Sequence, residues 1–180
     1  MLPPGHIAAG YLTAEALLHF THPNLTAHQQ NGLLLWGMLF GFIPDIDTFI
    51  AFARERAWFV KNQDNNHRKF ITHAPIIWLA MGLIVMAVAP NEYWKYVGLL
   101  LWLGSWSHFL LDSIQYGIMW LWPFSNRIYA FKDREKDYVN NAGKDSFISY
   151  WWSFVKAYSQ TLSCYLELLI IIVAIIIYFK

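Results

Sequence analysis

Residues 168–179 read LLIIIVAIIIYF, with no charged or amide side chain among them. An unbroken apolar run of this kind is rare in a water-soluble core. With residues 162–167 it approaches the roughly 20 residues needed to cross a bilayer, and Glu167 is the single charge within it. Four more segments with helical character precede it: residues 7–20, 33–43 (stopping near Pro44), 74–89 (ending at Pro90) and 93–122 (ending at Pro123). The fifth begins near Ser146 and continues to residue 179. By length only the fourth and fifth are comfortable spans, while the first two are short enough to be partial or tilted. Hydrophobic residues make up 57% of the chain and charged ones 14%, against roughly half and a quarter in soluble domains. Aromatic residues at 18% suit a chain that meets lipid interfaces. The expected fold is an all-α integral membrane helical bundle of about five helices.

A net charge of +1 gives no electrostatic footprint for nucleic acid, and none is expected as a partner. Cys164 is the only cysteine, so neither a disulfide framework nor a cysteine-based zinc site can be built. The opening residues, Met1 to His6, lack the basic region of a secretory signal, so the amino terminus is expected to persist in the mature protein. Basic residues set the orientation. The connection over residues 53–72 holds Arg54, Arg56, Lys61, Arg68 and Lys69, and that over 125–146 holds Arg127, Lys132, Arg134, Lys136 and Lys144. Residues 21–31 hold none and residues 90–96 only Lys95. Basic loops stay cytoplasmic, which places the amino terminus inside and Lys180 outside.

On that map seven ligand-type side chains fall at the cytoplasmic ends of four helices: His6, Asp45, Asp47, His67, His73, His108 and Asp112. Imidazoles and carboxylates bind zinc and similar divalent ions. His108 and Asp112, four residues apart, share a helix face. Asp45 and Asp47 flank Ile46, and an extended or turn backbone after Pro44 lets both face one cavity. Seven groups exceed the three protein ligands usual for one catalytic zinc, so two ions, or one ion with supporting groups, would use them. Each piece alone has a simpler explanation: a solvated His6, capping carboxylates at Pro44, a lipid-binding loop at His67 to Lys69, a satisfied polar pair at His108 and Asp112. His19, His22 and His28 map to the opposite end and are excluded. Glu167 is expected to be a bundle-facing polar contact.

The motifs Gly5-His6-Ile7-Ala8-Ala9-Gly10, Pro44-Asp45-Ile46-Asp47, His67-Arg68 with Thr72-His73, and Ser107-His108 through Asp112 follow in order, with Gly117 and Trp122-Pro123 after them. Over residues 5–125 this set resembles the YdjM-like family, LexA-regulated inner-membrane proteins described as metal-dependent hydrolases and grouped with zinc-dependent phospholipase C and single-strand-specific nucleases. The resemblance implies metal-ligand roles for all seven residues. Ala74 stands where the family often has Ser, and residues 147–180 lie outside the resemblance.

The expected function is a membrane-bound, metal-dependent phosphoester hydrolase acting on a lipid or lipid-linked substrate at the cytoplasmic face of a bacterial inner membrane. It would use one to three divalent ions, zinc first and manganese as the alternative. Asp47 is the candidate proton acceptor and Arg68 the candidate phosphate holder. Trp106, Tyr116, Trp120 and Trp122 are candidates for a lipid entrance, most of them serving as packing or interface anchors. The alternative is a non-catalytic metal-binding membrane protein: a transporter, a regulator or a scaffold recruiting a partner. Within one domain, residues 1–125 form the membrane-embedded core, 126–146 a charged cytoplasmic loop and 147–180 an amphipathic plus transmembrane helix.

Overall fold

The computed structural model describes residues 1–58, 66–132 and 146–180. Its regular elements are all helical: α1 (Pro3–Thr21), α2 (Ala27–Phe42), a 3-10 turn (Ile43–Ile46), α3 (Asp47–Glu55), 3-10 turns at His67–Lys69 and Ile71–His73, α4 (Pro75–Val88), α5 (Glu92–Ser113), α6 (Phe147–Tyr158) and α7 (Leu162–Tyr178). Most of the charged loop expected over residues 126–146 lies outside the described residues.

Local chemistry sets the boundaries. Pro3 and Pro4 open α1, where a missing N–H leaves no internal bond unmade. Thr26 and Gln29 cap α2 reciprocally, each side chain accepting from the other's backbone N–H. The Asn91 side chain opens α5 by accepting from Trp94 N.

Three expected boundaries are corrected. The second segment does not stop at Pro44: the helical run passes through the 3-10 turn and continues as α3. The fourth ends at Ser113 rather than near Pro123, because Asp112 O collects the N–H groups of Tyr116 and Gly117, and Gly117 (φ 86°) turns the chain away. The fifth is two helices bent by 80°, with Thr161 capping α7 through Cys164 N.

Among the described residues one helical run, Ala27–Glu55, is long and apolar enough to cross a membrane, and α6 with α7 makes a second if the bent pair counts as one. The architecture is therefore an all-α fold with one membrane-crossing run, or two, rather than a bundle of five clear spans.

Glycines draw the helices together. A Cβ on Gly10 of α1 would lie 2.1 Å from Gly37 O of α2, and one on Gly41 would lie 2.4 Å from His6 O. The two backbones are nearly in contact, as small residues permit. Ala14, Leu33, Phe40, Val97 and Leu100 fill the core between α1, α2 and α5. Trp78, Phe109 and Ile118 form a second cluster beside α4. The starts of α1, α4 and α7 and the ends of α2 and α5 meet at one end of the bundle, shown by the approach of His6 to Asp112, Gly5 to Glu167 and His73 to Asp45.

Candidate metal centre

Asp45 is the hub of that end. It sits in the 3-10 turn after α2, and Pro44 before it is fully buried. Three imidazoles approach its Oδ1 through Nε2: His67 at 3.6 Å, His73 at 3.7 Å and His108 at 3.6 Å. His6 Nε2 lies 3.9 Å from the other oxygen, Oδ2, and 3.2 Å from Asp112 Oδ1. The His6 ring stacks on His108 with centroids 3.7 Å apart.

The residues reach this point by different routes. His108 and Asp112 occupy one face of α5, both fully buried. His67 and His73 ride on consecutive 3-10 turns, tightened by Phe70 N donating to His67 O and His73 N to Phe70 O. The Trp78 indole N–H holds the second turn by donating to Thr72 O at 2.7 Å. Asp45 and Asp47 come together in helical rather than extended backbone, Asp47 being the first residue of α3.

Hydrogen bonding fixes the tautomers of two imidazoles. His108 Nδ1 lies 2.9 Å from Gly41 O, which can only accept, so that nitrogen carries the proton. His73 Nδ1 lies 2.7 Å from Asp47 Oδ2, which also accepts from Thr72 Oγ1. In the neutral ring each Nε2 then carries a lone pair toward Asp45, the arrangement in which an acceptor behind a histidine orients it for a metal. Asp47 thus stands behind His73 through one oxygen, and its buried Oδ1 has no hydrogen-bond partner.

This set fits a divalent cation. The Nε2 atoms of His6, His67, His73 and His108 are all buried without a hydrogen-bond partner, which is costly for polar atoms unless something satisfies them. Ligand atoms bonded at about 2.1 Å to a tetrahedral zinc stand roughly 3.4 Å apart, close to the separations around Asp45 Oδ1. Donor atoms of Asp45, His73, His108 and Asp112 all lie within 4.8 Å of one another, and so do those of Asp47, His67 and His73. His73 belongs to both groups, and His6 adjoins the first. The buried His/Asp cluster can chelate a metal ion.

Charge around the cluster is partly balanced. Arg68 Nε donates to Asp112 Oδ2 at 2.8 Å, its guanidinium lying 4.5 Å over the Tyr116 ring, and the Met1 amino group lies 2.5 Å from Asp112 Oδ1. Burial holds the His67 imidazole well below its usual range, and the Arg68 cation adds to the effect. Burial pushes His73 down too, but the Asp45 and Asp47 carboxylates outweigh it and hold this imidazole above its ordinary value.

All seven expected ligand residues come to one place, and Arg68 with them. Of the aromatic residues considered for an entrance, Trp106 and Trp120 make packing contacts, their indoles donating to Pro75 O and Ser113 Oγ, whereas Tyr116 lies under Arg68. Sequence reasoning missed Thr72 as a partner of Asp47 and Gly41 O as the acceptor behind His108; Glu167 is the bundle-facing polar contact expected, and its partner is the first turn of α1. For Thr72 the signal was present, since Thr72-His73 was already singled out as a motif.

Comparison with curated proteins and with solved structures finds no match. The family model described as YdjM inner membrane protein matches residues 1–180, the whole chain, and the protein belongs to that family.

Proposed function

We propose that the protein is a membrane-bound, metal-dependent hydrolase of phosphoesters, acting on a lipid or lipid-linked substrate at the cytoplasmic membrane face. The observation that carries this is the set of four imidazole Nε2 atoms, buried and without hydrogen-bond partners, facing the carboxylates of Asp45 and Asp112. Bound zinc or manganese would polarise a phosphoryl oxygen and lower the pKa of a bound water toward ~7. His6, Asp45, His67, His73, His108 and Asp112 are the residues to hold one to three such ions. Asp47 orients His73 through Oδ2, and its Oδ1 is the atom available to accept a proton. Arg68, anchored on Asp112 and stacked on Tyr116, is the residue to orient a phosphate beside them.

Orientation follows from the basic connections. The cluster lies at the end of the bundle to which residues 66–73 and the end of α5 lead, and the connections rich in Lys and Arg in the sequence, 53–72 and 125–146, are the ones expected inside. The helices alternate in direction at that end, which supports an inside amino terminus and an outside Lys180. A reporter fused at Lys180 should read as periplasmic; a cytoplasmic signal would overturn this topology.

The function is tested on chain purified in detergent without chelator. Elemental analysis should find stoichiometric zinc or manganese, and headgroup release from phospholipid vesicles should depend on it. Protein that neither carries nor takes up metal refutes the proposal. Protein that loads metal but turns over no lipid phosphoester supports the non-catalytic alternative.

A further inference from the structure

Helix α1 opens with an unusual shortage of donors. A helix leaves its first N–H groups without internal partners, but Pro3 and Pro4 have none to leave. The N-cap residue, Leu2, offers no side-chain cap. The backbone groups that remain reach across the bundle: Leu2 N donates to Glu167 Oε2 at 3.2 Å, and Gly5 N, shared with Leu2 O, donates to Glu167 Oε1 at 3.1 Å. Tyr158 OH, from the end of α6, donates to Oε2 as well. Glu167 lies on α7 and is buried, so these donors satisfy it where water does not, and its charge sits at the positive end of the α1 dipole.

Gly5 is built for this contact. A Cβ there would lie 2.7 Å from Glu167 Cγ and 3.0 Å from its Cδ, so a larger residue would force the Glu167 side chain to shift from this close approach. The next residue is His6. Its own carbonyl presses on Gly41 of α2 from the other side. The first turn of α1 is thus gripped between α2 and α7, and His6 projects from it toward Asp45 and Asp112.

We propose that Glu167 is a positioning residue for the metal centre: its carboxylate caps α1 across the bundle and sets where His6 enters the ligand cluster. The proposal rests on the metal-binding reading above. It gives the C-terminal helix, which carries none of the ligands, a part in the site.

The test is zinc affinity of the full chain in detergent, measured by competition with a chromophoric chelator. Glu167→Ala should weaken zinc about tenfold, at the lower end of what loss of a supporting group costs. Glu167→Gln, which keeps one acceptor oxygen, should weaken it less. In a His6→Ala background neither change should matter, because Glu167 acts through His6. A Glu167→Ala chain that binds as tightly as the parent overturns the proposal. So does an equal loss in both backgrounds, which would mark a general structural role. Should Glu167→Ala not fold, Glu167→Gln in the same two backgrounds decides. A folded parent that takes up no metal overturns the metal reading itself, and the proposal with it.

Discussion

The two ends of this bundle hold the protein's seven histidines in opposite conditions. At one end His6, His73 and His108 are fully buried, His67 is partly buried, and carboxylates stand within 4 Å of each. At the other end His19, His22 and His28 are exposed. His19 and His22 meet each other edge to face, and His22 serves as the left-handed residue that closes α1. The residue type is the same. What differs is whether the fold removes the ring from water and leaves Nε2 facing a carboxylate; for His73 and His108 it also gives Nδ1 an acceptor. A count of histidines near an apolar helix does not supply those conditions.

The contrast breaks most sharply at the buried end. His108→Ala removes a ring with a fixed tautomer, and Asp112→Asn removes charge at constant size. Each should weaken zinc binding more than about 100-fold, beyond the 10- to 100-fold typical of a supporting partner, and abolish turnover while membrane insertion persists. Equilibrium dialysis against zinc checks this; retained affinity in either variant would mean that the convergence at Asp45 holds no ion. A smaller effect is expected at Asp47. As the acceptor behind His73 it should cost about 10- to 100-fold when changed to Ala, whereas a complete loss of binding would make it a direct ligand through Oδ1. The smallest effect is expected at the exposed end. His19→Ala, His22→Ala and His28→Ala together should leave zinc affinity and turnover as in the parent, with stability changing by about 0.5 kcal/mol or less per site. Lost metal in that triple variant would place the site at the wrong end.

Much of the site was legible because its spacing is local. His108 and Asp112 share a face by helical period alone, and basic residues in the loops independently predicted that the two aspartates of the Pro44 turn would reach the same level. The helices were legible by their apolar length, but their ends were not. The early stop of α5 depends on Gly117 taking a positive φ and on the bridge from Ile118 to Tyr129, which is non-local pairing that a sequence window does not contain. The break between α6 and α7 lies at Ser159-Gln160-Thr161, where a Thr side chain captures a backbone N–H in competition with the helix. That choice has no hydrophobic signature. The acceptor at Gly41 O and the partner of Glu167 were hidden for the same reason: they join residues 67 and 162 positions apart.

Gly41 has a consequence for how stability and occupancy are linked. Its carbonyl holds His108 of α5, and its bare Cα lets His6 of α1 approach. A slide of α2 by one residue, about 1.5 Å, would undo both contacts at once. The site therefore has no scaffold separable from the bundle, and an ion that binds only the assembled state adds RT ln(1 + [L]/Kd) to the stability of the whole. Melting temperature in detergent then reports the free-metal concentration, and a chelator lowers it without touching a single apolar contact.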